Sequence, residues 1–147
     1  MTKILASFFI LLIINACSYE PILSRSYDFQ FEKISANGEK KINEIINNNL
    51  KGKGEGPRKF DIYYTTRKDR QIISSDNKGD AKIYKINIYV EYEIFQNGKK
   101  IFGNQFVKYI TYNNMNDKFE LSKYEENVVE NLSETISSEI LLSVLSL

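Results

Sequence analysis

The stretch "AKIYKINIYVEYEIFQNGKKIFGNQFVKYITY", residues 81–112, decides the fold. Tyr84, Ile86, Ile88, Val90, Tyr92 and Ile94 occupy every second position. That period of two is the mark of a strand with one buried face. Asn97-Gly98 follows, and both residues tolerate positive φ, as the centre of a tight hairpin turn requires. A strand over Ala81–Phe95 is therefore predicted to turn back into a second strand from Lys99 to about Tyr112. A two-residue turn would set Ile94 opposite Ile101, Ile88 opposite Val107 and Ile86 opposite Tyr109. A bulge near Gly103 would move that register by one and exchange the faces. The other face of the sheet is expected to carry Ile83, Tyr89, Phe95 and Phe106, mixed with Lys85, Glu91 and Glu93.

Upstream of this hairpin, "YDFQFEKI" (27–34) alternates Tyr27, Phe29 and Phe31 with polar residues, a further half-buried strand. From Gly38 to Leu50 the period changes. Ile42, Ile45, Ile46 and Leu50 fall at helical spacing, Asn37 is placed to cap the start, and Gly52 lies just past the end. "KGKGEGPR" (51–58) reads as a connector. It lacks the Gly-Lys-Ser/Thr ending of a phosphate loop, and a strand follows it, not a helix. "KFDIYYTT" (59–66) resumes alternation, and its strand reaches as far as Ser74 across the charged stretch Arg67–Gln71. "SSDNKGD" (74–80) turns the chain.

Downstream, "NNMNDKFE" (113–120) reads as a loop. Ser122 and Glu125 have the spacing of a capping box at a helix start. Tyr124, Val128, Leu132, Ile136, Ile140 and Val144 then recur every four residues. The order is β-α-β-β-β-α. The expected fold is α+β: a two-layer sandwich with a four-stranded, mainly antiparallel sheet and both helices packed on one face.

The N-terminus has a separate character. Ile4 to Ile14 is an eleven-residue run, apolar except for Ser7. A membrane span needs about 20. Lys3 precedes the run and small residues close it, the order of a cleaved secretory signal. Next comes Cys17, the sole cysteine of the chain. A lone thiol in an exported protein has no internal partner and is a liability in an oxidising compartment. Acylation removes that problem, and Ile14-Asn15-Ala16-Cys17 resembles a bacterial lipobox, with Asn15 as its departure from the usual pattern. An ordinary signal peptide with a chance cysteine is the competing reading. The expected organisation is a lipoprotein signal peptide over 1–16, a lipidated tether over 17–26 and one domain over 27–147. Acyl chains contribute about 0.8 kcal/mol per buried methylene, and two already anchor a protein stably. The diacylglycerol and N-acyl chain expected on Cys17 would make a lasting tether. Ser18, where an aspartate would favour inner-membrane retention, leaves outer-membrane delivery open.

The chain has 20 basic and 19 acidic residues, no histidine and no tryptophan. Balanced charge argues against nucleic-acid binding, which needs a net basic surface. Without histidine there is no Ser-His or Cys-His nucleophile pair. No metal-ligand cluster or calcium-loop spacing occurs, so neither a metal nor another cofactor is expected. Glu91 and Glu93 share a strand face and could imitate a carboxylate pair, although a solvated face explains them as well. Two features carry more weight. Arg67, Lys68 and Arg70 form a basic cluster suited to phosphates or acidic sugars, or else a strand edge kept soluble by charge. The tyrosine-rich outer sheet face, with Tyr89, Phe95 and Phe106, suits a partner surface; strand propensity alone would also put tyrosine there.

The layout resembles the lipopolysaccharide-assembly lipoprotein family LptE. The resemblance is carried by the lipobox-like "NACSYEP", the long strand pair ending in "TYN", and the C-terminal helix "LSKYEENVVENLSETISSEILLSVL". It implies one four-stranded sheet with two helices and no enzymatic activity. It implies a periplasm-facing outer-membrane lipoprotein that plugs and helps assemble the β-barrel LptD and assists lipopolysaccharide delivery to the outer leaflet. Arg67, Lys68 and Arg70 are the candidates for lipopolysaccharide contact. The alternative is another periplasm-facing lipoprotein that binds cell wall or a soluble ligand, for which the absence of a sugar-stacking tryptophan is unfavourable.

Overall fold

A computed structural model describes residue 22 and residues 26–147. The signal peptide, Cys17 and all of the tether except residues 22 and 26 lie outside the described residues. The elements are β1 (Tyr27–Gly38), α1 (Lys40–Leu50), β2 (Gly54–Ser75), β3 (Ala81–Gln96), β4 (Lys99–Asn113) and α2 (Lys118–Leu145). The strands lie side by side in chain order. β1 runs parallel to β2, while β2–β3 and β3–β4 are antiparallel. A parallel pair needs a crossover between its strands, and α1 supplies it. The architecture is the expected α+β sandwich, β-α-β-β-β-α.

One core lies between the sheet and the helices. Phe60, Ile62 and Tyr64 of β2 and all six alternating residues from Tyr84 to Ile94 of β3 are buried in it. Ile42, Ile46 and Leu50 cover them from α1, and Val128, Val129, Ile136, Ile140, Leu141 and Val144 from α2. Each such side chain contributes about 1.5–3 kcal/mol relative to exposure. α2 also buries Ser133 and Ser137 completely. Their hydroxyls donate to the carbonyls of Val129 and Ser133, at 2.6 and 2.8 Å, so neither leaves an unpaired donor in the core.

The hairpin turn forms as its residues demand, with φ of 52° at Asn97 and 74° at Gly98. The register differs from the simple count. Ile94 faces Phe102, Ile88 faces Lys108 and Ile86 faces Ile110. The ladder slips between Ile94 and Phe95, whose partner is Lys100, so the extra residue is Ile101. This single bulge turns Phe102, Phe106 and Ile110 toward the helices and leaves Val107 and Tyr109 on the outer face.

Three boundaries also differ from the sequence reading. First, "KGKGEGPR" is not a plain connector, because β2 begins at Gly54 and pairs with Tyr27. A Cβ at Gly54 would lie 1.4 Å from the Phe29 carbonyl oxygen, and one at Gly56 1.8 Å from that of Asp28. The strand backbones approach so closely here that only glycine fits. Second, β1 runs on to Gly38, so Asn37 is a strand residue facing Thr65 and does not cap α1. The Glu39 N–H at the helix start instead donates to Thr66 Oγ1 at 3.0 Å. Third, α2 begins at Lys118, with the Asp117 carboxylate accepting from the N–H groups of Phe119 and Glu120. Ser122 and Glu125 therefore lie inside the helix.

Candidate functional site

The sheet's outer face is built by the odd-numbered residues of β2 from Asp61 to Gln71, of β3, and of β4 beyond its bulge, with Lys100 before it. Three cations lie over aromatic rings on it. The Arg67 guanidinium is 4.0 Å from the centre of the Tyr89 ring. The Lys85 amine is 4.1 Å from that of Tyr109, and Lys33 of β1 is 5.3 Å from that of Tyr63. Such contacts are worth about 0.5–1 kcal/mol at exposed sites. Tyr63 in turn meets Phe95 edge-on, with ring centres 5.2 Å apart. Tyr109 remains 61% exposed and Val107 47%, so the far half of the face is both apolar and open. Asn87 is buried at its centre between Asp69 and Tyr109.

Of the aromatic residues expected on this face, Tyr89 and Phe95 are there. Phe106 is not. The bulge at Ile101 turns it to the helix side, where it stacks on Tyr92 with ring centres 5.6 Å apart. Lys85 is there as expected; Lys33 and Tyr63 join it although the sequence does not single them out, and so does Tyr109, which the simple count set opposite Ile86. The Lys85–Tyr109 contact is a diagonal between neighbouring strands, visible only once the register is known.

Arg67, Lys68 and Arg70 do not form one fork. Successive strand residues point to opposite faces. Arg67 lies on the outer face, and Lys68 and Arg70 on the helix side. The Arg70 guanidinium rests 3.7 Å from the centre of the Tyr84 ring. Its Nε donates to Glu125 Oε1 at 2.8 Å and to Tyr112 Oη at 3.3 Å. Tyr112 Oη donates to the same carboxylate oxygen at 2.6 Å. Burial, then the hydrogen bond to Glu125, pushes the Tyr112 phenol up to about 12. Lys68 is exposed at the mouth of a cavity of about 230 Å³ between the helices and β2, lined also by Lys41, Arg70, Glu39, Glu125 and Glu126. Lys41 faces Glu126 across it at 3.5 Å.

Glu91 and Glu93 share the outer face, and Glu93 is held by Lys100 of β4. Among the described residues no group of three or more His, Cys, Asp or Glu side chains is placed to hold a metal. Among the same residues no helix is long and apolar enough to cross a membrane. The described surface presents an aromatic, cation-studded sheet face on one side and a mixed-charge cleft on the other.

No family model and no curated protein matches the sequence. Solved structures do match. The fold is shared with lipoproteins of known structure. Rare lipoprotein B from Shewanella oneidensis superposes with a TM-score of 0.61 at 15% identity, over 78% of this chain and 95% of that one. Lipoprotein B from Nitrosomonas europaea, described as uncharacterized, gives 0.62 at 10% identity, over 82% and 87%. At these identities the likeness is one of fold.

Proposed function

We propose that this chain is an outer-membrane lipoprotein of the LptE type, anchored through acylated Cys17. In this reading its domain sits in the lumen of an LptD-like β-barrel, helps that barrel assemble and assists lipopolysaccharide delivery. The observation that carries the reading is the conjunction of the rare lipoprotein B fold with a sole cysteine at a lipobox-like sequence. The outer face supports it: a broad, aromatic surface with cations held over rings is the chemistry of a protein contact rich in tyrosine and arginine. Arg67 and Lys68 are the candidates for lipopolysaccharide phosphates. Arg70, already engaged by Glu125 and Tyr112, would serve mainly to fix Tyr112 and α2.

The test is co-purification from detergent-solubilised outer membrane. The reading predicts recovery of the chain with one large β-barrel, and misassembly of that barrel when the chain is depleted. Quantitative recovery of the chain without a barrel would overturn it. Reversal of Arg67 and of Lys68 in separate variants, with lipopolysaccharide binding as readout, tells which side of the sheet meets the lipid. Unchanged binding in both would remove the two residues from the proposal.

A further inference from the structure

We infer that the free edge of β4 is a strand-pairing surface for a second copy of this chain, joined antiparallel about Phe106. β4 is the last strand of the sheet, and its outer edge pairs with no strand among the described residues. Edge strands are normally protected by bulges, proline or charges that block addition of another strand. β1, at the opposite edge, is interrupted by two register shifts. β4 has no such protection over most of its length. From Phe102 to Asn113 it pairs with β3 without interruption, and it contains no proline. Its one charge within that run, Lys108, is drawn to the helix side by Glu139. Phe102, Phe106 and Ile110 overhang the core at this edge and are only half-buried.

A second copy is favoured because the strand is complementary to itself. A two-fold axis normal to the sheet at Phe106 sets Phe106 against its mate and Phe102 against Ile110, so the half-buried apolar row is covered. On the outer face it sets Gly103 against Tyr109, where a large ring covers a residue without a side chain. Lys108, the one charge of the run beyond the Ile101 bulge, then faces Asn104, and no like charges meet there. The outcome is one eight-stranded sheet with all four helices on the same side. This inference stands apart from the barrel reading, since it concerns pairs of this chain alone.

The test uses the full chain in detergent micelles, with cysteine placed singly at Asn104, Phe106 or Lys108 and the parent, bearing only Cys17, as control. A two-fold brings a residue to its own mate only at the axis. A disulfide needs Cα atoms about 4.4–6.8 Å apart. Positions two residues away are offset by about 14 Å along the strands. Oxidation should therefore yield disulfide dimer in F106C in large excess over N104C and K108C. If F106C does not fold, spin labels on T111C give the same answer, with an expected separation of about 34 Å at a rise of ~3.4 Å per residue. Equal crosslinking at all three positions, a maximum away from 106, crosslinking only to a different polypeptide, or label pairs with no distance near that value would each overturn the inference.

Discussion

Glu125 accepts from Arg70 and from Tyr112, and so joins β2, β4 and α2 through one carboxylate. Arg70 is 39% and Glu125 22% exposed, so the pair is neither a free surface bridge nor a fully buried one. Glu125→Ala is expected to cost about 1–2 kcal/mol, read from urea midpoints, because Arg70 and Tyr112 both lose a charged acceptor. A pH dependence belongs to the same scale. Tyr64 is buried, and that burial pushes its phenol up to about 12. In the unfolded chain it titrates near 10. The folded state therefore holds the proton more tightly. The resulting stability is complete below pH 10 and is lost as pH rises from 10 to 12, by up to ~1.4 kcal/mol for each pH unit crossed. Tyr112, raised to a similar value, adds to the same window. Urea midpoints should change little from pH 9 to 10 and fall steeply from 10 to 11 in the parent, and less steeply in Tyr64→Phe. An identical fall in both would remove Tyr64 from the account.

Individual elements show what the sequence made legible and what it hid. The β3–β4 hairpin was readable because its signals are local: alternating apolar residues and an Asn-Gly turn that needs positive φ at both positions. The register was readable only as two alternatives: the bulge expected near Gly103 lies at Ile101, and that one extra residue decides which face every later side chain takes. Phe106 was misplaced for that reason alone. Gly54 and Gly56 suggested a loop because glycine weakens strands in general. Here the opposing β1 backbone requires it. Gly56→Ala is thus expected to push β1 off β2 and destabilise by about 1–3 kcal/mol, whereas Lys51→Ala, at an exposed position, should change little. The start of α1 was hidden because its cap comes from 27 residues away. Thr66 Oγ1 accepts from the Glu39 N–H and donates to Asn43 Oδ1 at 2.6 Å. Thr66→Val should cost about 1–2 kcal/mol by removing both bonds, so that the Glu39 N–H keeps only the Thr66 carbonyl at 3.4 Å. The basic cluster failed as a unit for an equally simple reason, since Arg67 and Lys68 are neighbours in sequence and opposites in a strand.

At the scale of the molecule, parallel pairing of β1 with β2 sets Tyr27 beside Gly54, at the same end of the sheet as the Asn97-Gly98 turn. Residue 22 is held to the domain there, its carbonyl accepting from Tyr27 Oη at 2.6 Å. Five residue steps, with four residues between, lead from it to Cys17, a reach of at most about 18 Å. An acylated Cys17 would keep that end against the membrane and point the β2–β3 turn away from it. Cys17→Ser is expected to release the chain from the membrane fraction if it is anchored as proposed, and fractionation reads the result. The open sheet face would then be carried alongside the wall of its partner. The most direct measurement places a photo-crosslinking amino acid at Tyr109, exposed on that face, and irradiates intact outer membranes. The proposal predicts an adduct with a large β-barrel protein. Irradiated chain that is fully expressed yet forms no barrel adduct from this position, or from Val107 beside it, would contradict it.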